Sequence, residues 1–326
     1  MLKIPAGVLI GLLAASGAHV SSAKAQDFPS RPVTMVVPYG AGSPADVIGR
    51  LIAQGMSTQL GQQVLVENVG GAGGVTGSNR VAKAPPDGYQ FVQGGTGTHA
   101  QSQTLYKSPA YNAVTDFTPL ALITESPLVL VARKDYPADD LKGVATQAKA
   151  KEATYGSAGV GSSTHLGCEM LAQAMGAKMT HVPYRGMGPV MQDLTAGRID
   201  FGCDFVLGAL PQIEGKTIKP IAVLTKTRSS ALPNVPTADE QGLKGFEAYN
   251  WNAYFLPKGT PEPVVKKLHA ALNATLDKPA VREKLASLGA VIVAAERRTP
   301  EYLGRFVESE VAKWAAPIKA TGATVE

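Results

Sequence analysis

Aromatic residues are scarce in this 326-residue chain, at 6%, and charged residues make up only 17%. The 31 basic and 26 acidic residues leave a formal charge of +5 spread along the chain. No basic cluster forms, which excludes a nucleic-acid footprint. G-x-x-x-x-G-K-[ST] is absent, so there is no phosphate loop, and G-x-S-x-G is absent, so there is no nucleophile elbow. His99, His165, His181 and His269 lie far apart, with no H-E-x-x-H or other metal-ligand spacing. Beyond the N-terminus no apolar run reaches membrane-spanning length. With only Cys168 and Cys203 present, one bond is available in an oxidising compartment. Their spacing leaves open whether they pair or stay as buried thiols.

What is present is apolar and rich in turns. Hydrophobic residues reach 44%, with 35 glycines and 23 prolines. That is ample for a large core and suits an α/β protein built of βα turns. The first 25 residues read as an export signal. Lys3 gives a positive start, residues 8–15 a short apolar core, and Ala23-Lys24-Ala25 a small-x-small site with cleavage before Gln26. Losing Lys3 and Lys24 takes the charge from +5 to +3. The mature protein is expected to be periplasmic.

The chain is organised around residues 36–79. A β-branched run over 33–38 leads into Gly40-Ala41-Gly42. Ser43-Pro44-Ala45-Asp46 then carries three helix-start signals: a serine cap, a proline at the first position and an acid three after the cap. Val47, Ile48, Leu51, Ile52 and Met56 follow at helical spacing. Unpaired N–H groups at such a start, helped by the helix dipole, can hold an anion. Asp46 offsets part of that potential. A well-capped βα unit with no ligand explains the same residues.

Further strands are expected at 64–67, 90–93, 116–123, 128–133, 154–157, 181–184, 199–205, 218–224 and 251–256. Helices are expected at 141–151, from Gly186 with Pro189 at its first position, and over 264–276, 281–288 and 302–316. Residues 156–165 repeat the strand, flexible turn and hydroxyl-rich helix start of the first stretch. The recurring βα pattern implies parallel sheets covered by helices, with ligands at the carboxyl ends of the strands. Two glycine- and hydroxyl-rich clusters imply two lobes facing each other across a cleft.

Catalytic readings are weak. Gly95-Thr96-Gly97-Thr98-His99-Ala100 fits a loose dinucleotide pattern but sits on the third strand with no ribose-binding acid after it. A triad of Ser162 or Ser163 with His99 and Asp204 would have to assemble in space, making a secreted α/β hydrolase the competing reading. No cofactor, metal or catalytic residue is expected.

Three blocks together resemble one family. These are VTMVVPYGAGSPADVIGRLIAQGM with VENVGGAGGVTGSNRVAKAPPDGY, YGSAGVGSSTHLGCEML with HVPYRGMGPVMQDLTAGRIDF, and LPNVPTADEQGL followed by WNAYFLPKGTP. The chain resembles Bug-type extracytoplasmic solute receptors, the binding components of tripartite tricarboxylate transporters. The Ser43-Pro44 pair departs from that family's usual first loop, P-F-x-x-G-G-x-x-D. The resemblance implies a type II-like two-lobe periplasmic binding protein with two doubly wound sheets. Its first lobe would hold 27–125 plus 253–326 and its second 126–252. It also implies a monomer that binds a small organic acid and passes it to integral membrane subunits. On the same basis the ligand loops are Tyr39, Gly42 and Ser43, then Ala72 and Gly73, then Thr98 and His99. The opposing helix start is Ser162, Ser163, Thr164 and His165, Asp204 faces the pocket, and Arg185 and Trp251 line the edge or pack inside.

Overall fold

The computed structural model describes residues 28–184, 186–322 and 324–325. The export signal, its cleavage point and Arg185 lie outside the described residues.

Strand β1 (Val33–Val37) buries all its residues but Thr34, as a strand covered on both faces must. Helix α1 (Pro44–Leu60) follows as its signals predict. The Ser43 side chain accepts from the Asp46 N–H, Pro44 is at the first position, and Gly61 closes the helix in the left-handed conformation. Then come β2 (Val64–Asn68), α2 (Val75–Ala82), β3 (Gln90–Gly95), a π-helical turn (Gly97–Gln101) and a short α3 (Ser102–Leu105). Here β1 pairs in parallel with both β2 and β3.

The pairing expected as two separate strands, at 116–123 and 128–133, is one 17-residue strand, β4 (Phe117–Arg133). It runs through Ser126-Pro127 because both residues pair with a strand far along the chain, Ser126 opposite Asn250 and Pro127 opposite Tyr249. Helix α4 (Leu141–Ala150), β5 (Ala153–Ser157), α5 (Ser163–Met175), β6 (Met179–Pro183), α6 (Met187–Thr195), β7 (Phe201–Phe205), α7 (Val206–Glu214) and β8 (Ile218–Val223) follow. Pro189 stands at the third position of α6, two residues later than expected, because Gly186 supplies the cap. Helix α7 is new: it leaves β7 with no capping side chain and contains Pro211, so nothing local announces it. The chain ends with β9 (Tyr249–Pro257), α8 (Glu262–Leu276), α9 (Pro279–Ser287), β10 (Val291–Ile292) and α10 (Pro300–Thr321).

The strand order is β2-β1-β3-β9-β4-β7-β5-β6, with β8 and β10 also on β4. The first half of β4 lies against β9 and its second half against β7 and β8. So the two lobes carry the same order. Two parallel strands flank a first strand, and an antiparallel strand then separates them from a fourth: β2-β1-β3-β9-β4 in one lobe and β6-β5-β7-β4-β8 in the other. The two sheets are joined by hydrogen bonds through β4.

Each sheet is covered on both faces. In the first lobe Met35 and Val37 join α1, α8 and α9, while Val36 faces α2 and α10. In the second, Leu128 and Leu130 face α4 and α5, while Val129 and Val131 face α6 and α7. A wholly buried side chain of this kind contributes about 1.5–3 kcal/mol.

Cys168 on α5 and Cys203 on β7 form a disulfide, with Cα atoms 5.5 Å apart. Both ends lie in the second lobe's core, so the bond does not tie the lobes together. Replacing both cysteines by alanine is expected to lower the unfolding free energy by roughly 3–4 kcal/mol, the loop-closure value for a bridge of this span. Urea unfolding of the two proteins without reductant measures it.

Candidate functional site

The two lobes present the same loop. Residues 40–46 read GAGSPAD and residues 159–165 read GVGSSTH. In each, the serine N–H donates to the first glycine carbonyl at 3.2 Å (Ser43 to Gly40, Ser162 to Gly159). In each, the serine hydroxyl accepts from the N–H three residues on at 3.2 Å. Gly42 and Gly161 take φ +79° and +76°, which the loop requires of its third residue. Each of these glycines then donates its N–H four residues forward, Gly42 to Asp46 Oδ2 at 2.8 Å and Gly161 to His165 Nδ1 at 3.1 Å.

That last pair sets the electrostatics. Burial works to raise the Asp46 pKa. Hydrogen bonds from Arg50, Gly42 and Asn68 outweigh it and hold the carboxyl below its usual range. Arg50 Nε lies 3.0 Å from Asp46 Oδ2 and offsets part of its charge. The α5 start carries no acid at all. His165 receives an N–H on Nδ1, so its proton sits on Nε2, and burial holds its pKa down at about 4. It is neutral at pH 7 and stacks on His181 with ring centroids 3.9 Å apart.

Within the α5 start, Ser162 and Thr164 are turned inward. The Ser162 hydroxyl lies 2.8 Å from Gly159 O and 2.9 Å from Thr164 Oγ1, and Thr164 Oγ1 accepts from Ala158 N–H at 2.9 Å. Ser163 points outward, and its hydroxyl donates across to Gln101 Oε1 of the first lobe at 3.3 Å. The backbone N–H groups of Ser163 and Thr164 have no acceptor among the described residues. The lobes touch along this seam. A Cβ on Gly161 would lie 2.3 Å from Leu105 Cδ2, and Leu166 of α5 packs into the first lobe's core.

On the first lobe, three loops meet at Gly74. A Cβ there would lie 2.7 Å from Thr98 Cγ2 and 3.2 Å from both Pro38 O and Tyr39 Cε1. The half-buried Tyr39 ring ends beside Gly97, whose Cβ would be 3.5 Å from the phenol oxygen. Gly42, Ala72 and Gly73 are exposed and Ser43 half-exposed at the rim. Ala72 has φ +47° and its carbonyl accepts from Tyr106 OH at 2.7 Å, which braces the second loop.

Thr98 and His99, expected to open onto the ligand, have no exposed surface. Thr98 Oγ1 bonds Gly95 N–H and lies 2.9 Å from His99 Nδ1. His99 stacks on Phe255 at 3.9 Å with Phe117 and Tyr111 around it, and burial lowers its pKa to about 3. The residue that reaches across the seam from this loop is Gln101, which the sequence reading missed. It is the last residue of the π-helical turn that follows β3.

The serine triad does not assemble. Ser163 bonds Gln101, His99 lies in the aromatic core, and Asp204 Oδ1 accepts from Phe205 N–H at 2.8 Å. Ser157 and His181 do lie 2.6 Å apart, but Ser157 is wholly buried and out of a substrate's reach. Asp204 is buried at the start of α7, its Oδ2 unpartnered and its pKa pushed up to about 7 by burial. Trp251 packs inside, its indole N–H donating to Glu310 Oε2 at 2.9 Å. His269 bonds the Arg298 carbonyl.

A family model described as tripartite tricarboxylate transporter family receptor matches residues 48–323. The chain belongs to this family. The receptor is 46% identical over 303 residues to a UPF0065 protein of Agrobacterium vitis, covering 92% of this chain and 87% of that one. Its fold is similar to that of the periplasmic binding protein BugD, with TM-score 0.81 and 38% identity, over 92% of this chain and 100% of BugD. It is also similar to MatC of Rhodopseudomonas palustris, solved with bound malate, with TM-score 0.80 and 39% identity, over 89% of this chain and 100% of MatC. The receptor is thus a solute-binding protein of the Bug type with the two-lobe periplasmic binding fold, and not an enzyme. Among the described residues no helix is long and apolar enough to cross a membrane.

The Asp204 carboxyl, with its folded pKa raised, binds its proton more tightly folded than unfolded. Its contribution to stability is complete in acid and is lost as pH rises through about 7. Asparagine cannot ionise. Asp204→Asn is therefore expected to gain on the parent between about pH 5 and about pH 8, by on the order of 2 kcal/mol, in urea unfolding at both pH values.

Proposed function

We propose that this receptor works in the periplasm, closes on a small organic carboxylate and delivers it to the membrane subunits of a tripartite transporter. The observation that carries this reading is the seam itself. The acid-free start of α5, with two unpartnered N–H groups, meets Gln101 of the facing lobe, and the Tyr39 phenol lies beside Gly97 in the same loop as Gln101. Donors from both sides, with no carboxylate of the protein among them, suit an anionic guest. The malate held by MatC favours a dicarboxylate within that class. The buried disulfide suits an oxidising compartment.

In this reading the moving units are 27–125 plus 253–326 and 126–252, and they turn about β4 and β9, where the chain crosses between sheets. The backbone N–H groups of Ser163 and Thr164 take one carboxylate. Tyr39, Gly42, Ser43, Ala72 and Gly73 form the other wall. Thr98 and His99 hold the third loop in place from behind. A ligand touching both walls stabilises the closed state by its difference in affinity for the two.

Calorimetry against malate, succinate, adipate and benzoate tests the reading. At least one is expected to bind with a micromolar or lower Kd, and at about a hundredfold excess over Kd to stabilise the protein by about 2.7 kcal/mol. No binding by any acid overturns it. Gly161→Ala is expected to weaken binding by roughly tenfold or more. Its methyl would collide with Leu105 and its backbone would be strained, which holds the lobes apart.

A further inference from the structure

Gln101 is wholly buried, yet its side-chain Nε2 has no hydrogen-bond partner. Its carboxamide oxygen is used, accepting the Ser163 hydroxyl from the facing lobe at 3.3 Å. A buried amide N–H left without an acceptor is costly, so a protein that keeps one at a working seam keeps it for a guest. The position agrees. The Ser163 hydroxyl places the carboxamide against the first turn of α5, where the Ser163 and Thr164 N–H groups are unpartnered among the described residues. Gly97 lies between Gln101 and the Tyr39 phenol, its Cβ position 3.9 Å from Gln101 Oε1 and 3.5 Å from Tyr39 OH. Gln101 closes the π turn that begins at Gly97, an irregularity of the kind often found at functional sites.

We infer that Gln101 is the first-lobe residue that selects a carboxylate and couples its capture to closure, an assignment that rests on the receptor reading above. Its amide N–H group donates to a carboxylate oxygen held over the α5 start, while its carbonyl oxygen holds Ser163. One planar group thus makes both bonds at once, and each fixes the orientation needed for the other. A guest that offers only donors there, such as an amine or ammonium, leaves the amide unpaired and is rejected.

Two substitutions at this position, with calorimetry against malate, succinate, adipate and benzoate, decide the matter. Gln101→Glu keeps the shape and replaces the donor by a negative oxygen. It is expected to weaken binding by roughly a hundredfold or more near pH 8. Part of that loss is expected to return near pH 6, as the new carboxyl takes up a proton and can donate. Wild-type affinity is expected to change much less over the same range. Gln101→Met keeps the length with no donor and no charge, so it retains the fold even where a buried glutamate does not. It is expected to lose roughly tenfold or more, with its melting temperature near that of the wild type. Wild-type binding accompanied by unchanged Kd values in the folded variants overturns the role of Gln101 and leaves the receptor reading standing. A lower melting temperature with unchanged Kd does the same, since it marks a structural residue only. Failure of the wild type to bind any of the four acids overturns the receptor reading itself.

Discussion

A helix that begins at the edge of a cleft must give its first N–H groups to something, since water is thin there and an unpaired donor is costly. This protein meets that demand twice with one device. A glycine in the left-handed region, a capping serine and a residue four places after the glycine take up some of the donors at α1 and at α5. The fourth-place residue differs, and the lobes differ with it. Asp46 closes the α1 loop with a carboxylate that Arg50 pairs with, while His165 closes the α5 loop with a neutral ring. The positive end of α5 therefore faces the seam without a counter-charge, while that of α1 is met by Asp46.

The sheet makes that polarity useful. Because β4 serves as the fourth strand of one sheet and the antiparallel strand of the other, the two helix starts hang from a shared rail. Glu310 steadies the base, holding the indole N–H groups of Trp251 and Trp314 on one carboxylate beside Lys313. Glu125 and Arg297 pair nearby, at the foot of the crossing. The disulfide stiffens only the lobe that carries the α5 start.

Most elements were legible because their signals are local. The serine cap with Pro44, the Gly61 stop and the apolar run of β1 lie within a few residues of the structure they specify. Helix α7 was not legible, since it starts without a cap and contains a proline. The continuity of β4 through Pro127 was hidden for another reason: only its partner β9, over a hundred residues away in the chain, keeps it extended there. The candidate site divided in the same way. The loops at 40–46 and 159–165 could be read, but which side chains within them turn outward could not. Ser163 and Ser162 are neighbours of the same type, and hydrogen bonds to Gly159 and Gln101 decide between them.

By itself the amino-acid sequence determined the βα rhythm, the capped helix starts and their glycine turns, because backbone preference acts between residues a few positions apart. Tertiary structure alone decided that Cys168 meets Cys203, that His99 is enclosed by Phe255 and Phe117, and that Gln101 reaches Ser163. Those contacts join residues far apart in the chain. They depend on how the sheets stack and where the chain crosses between lobes, which no short stretch of sequence encodes.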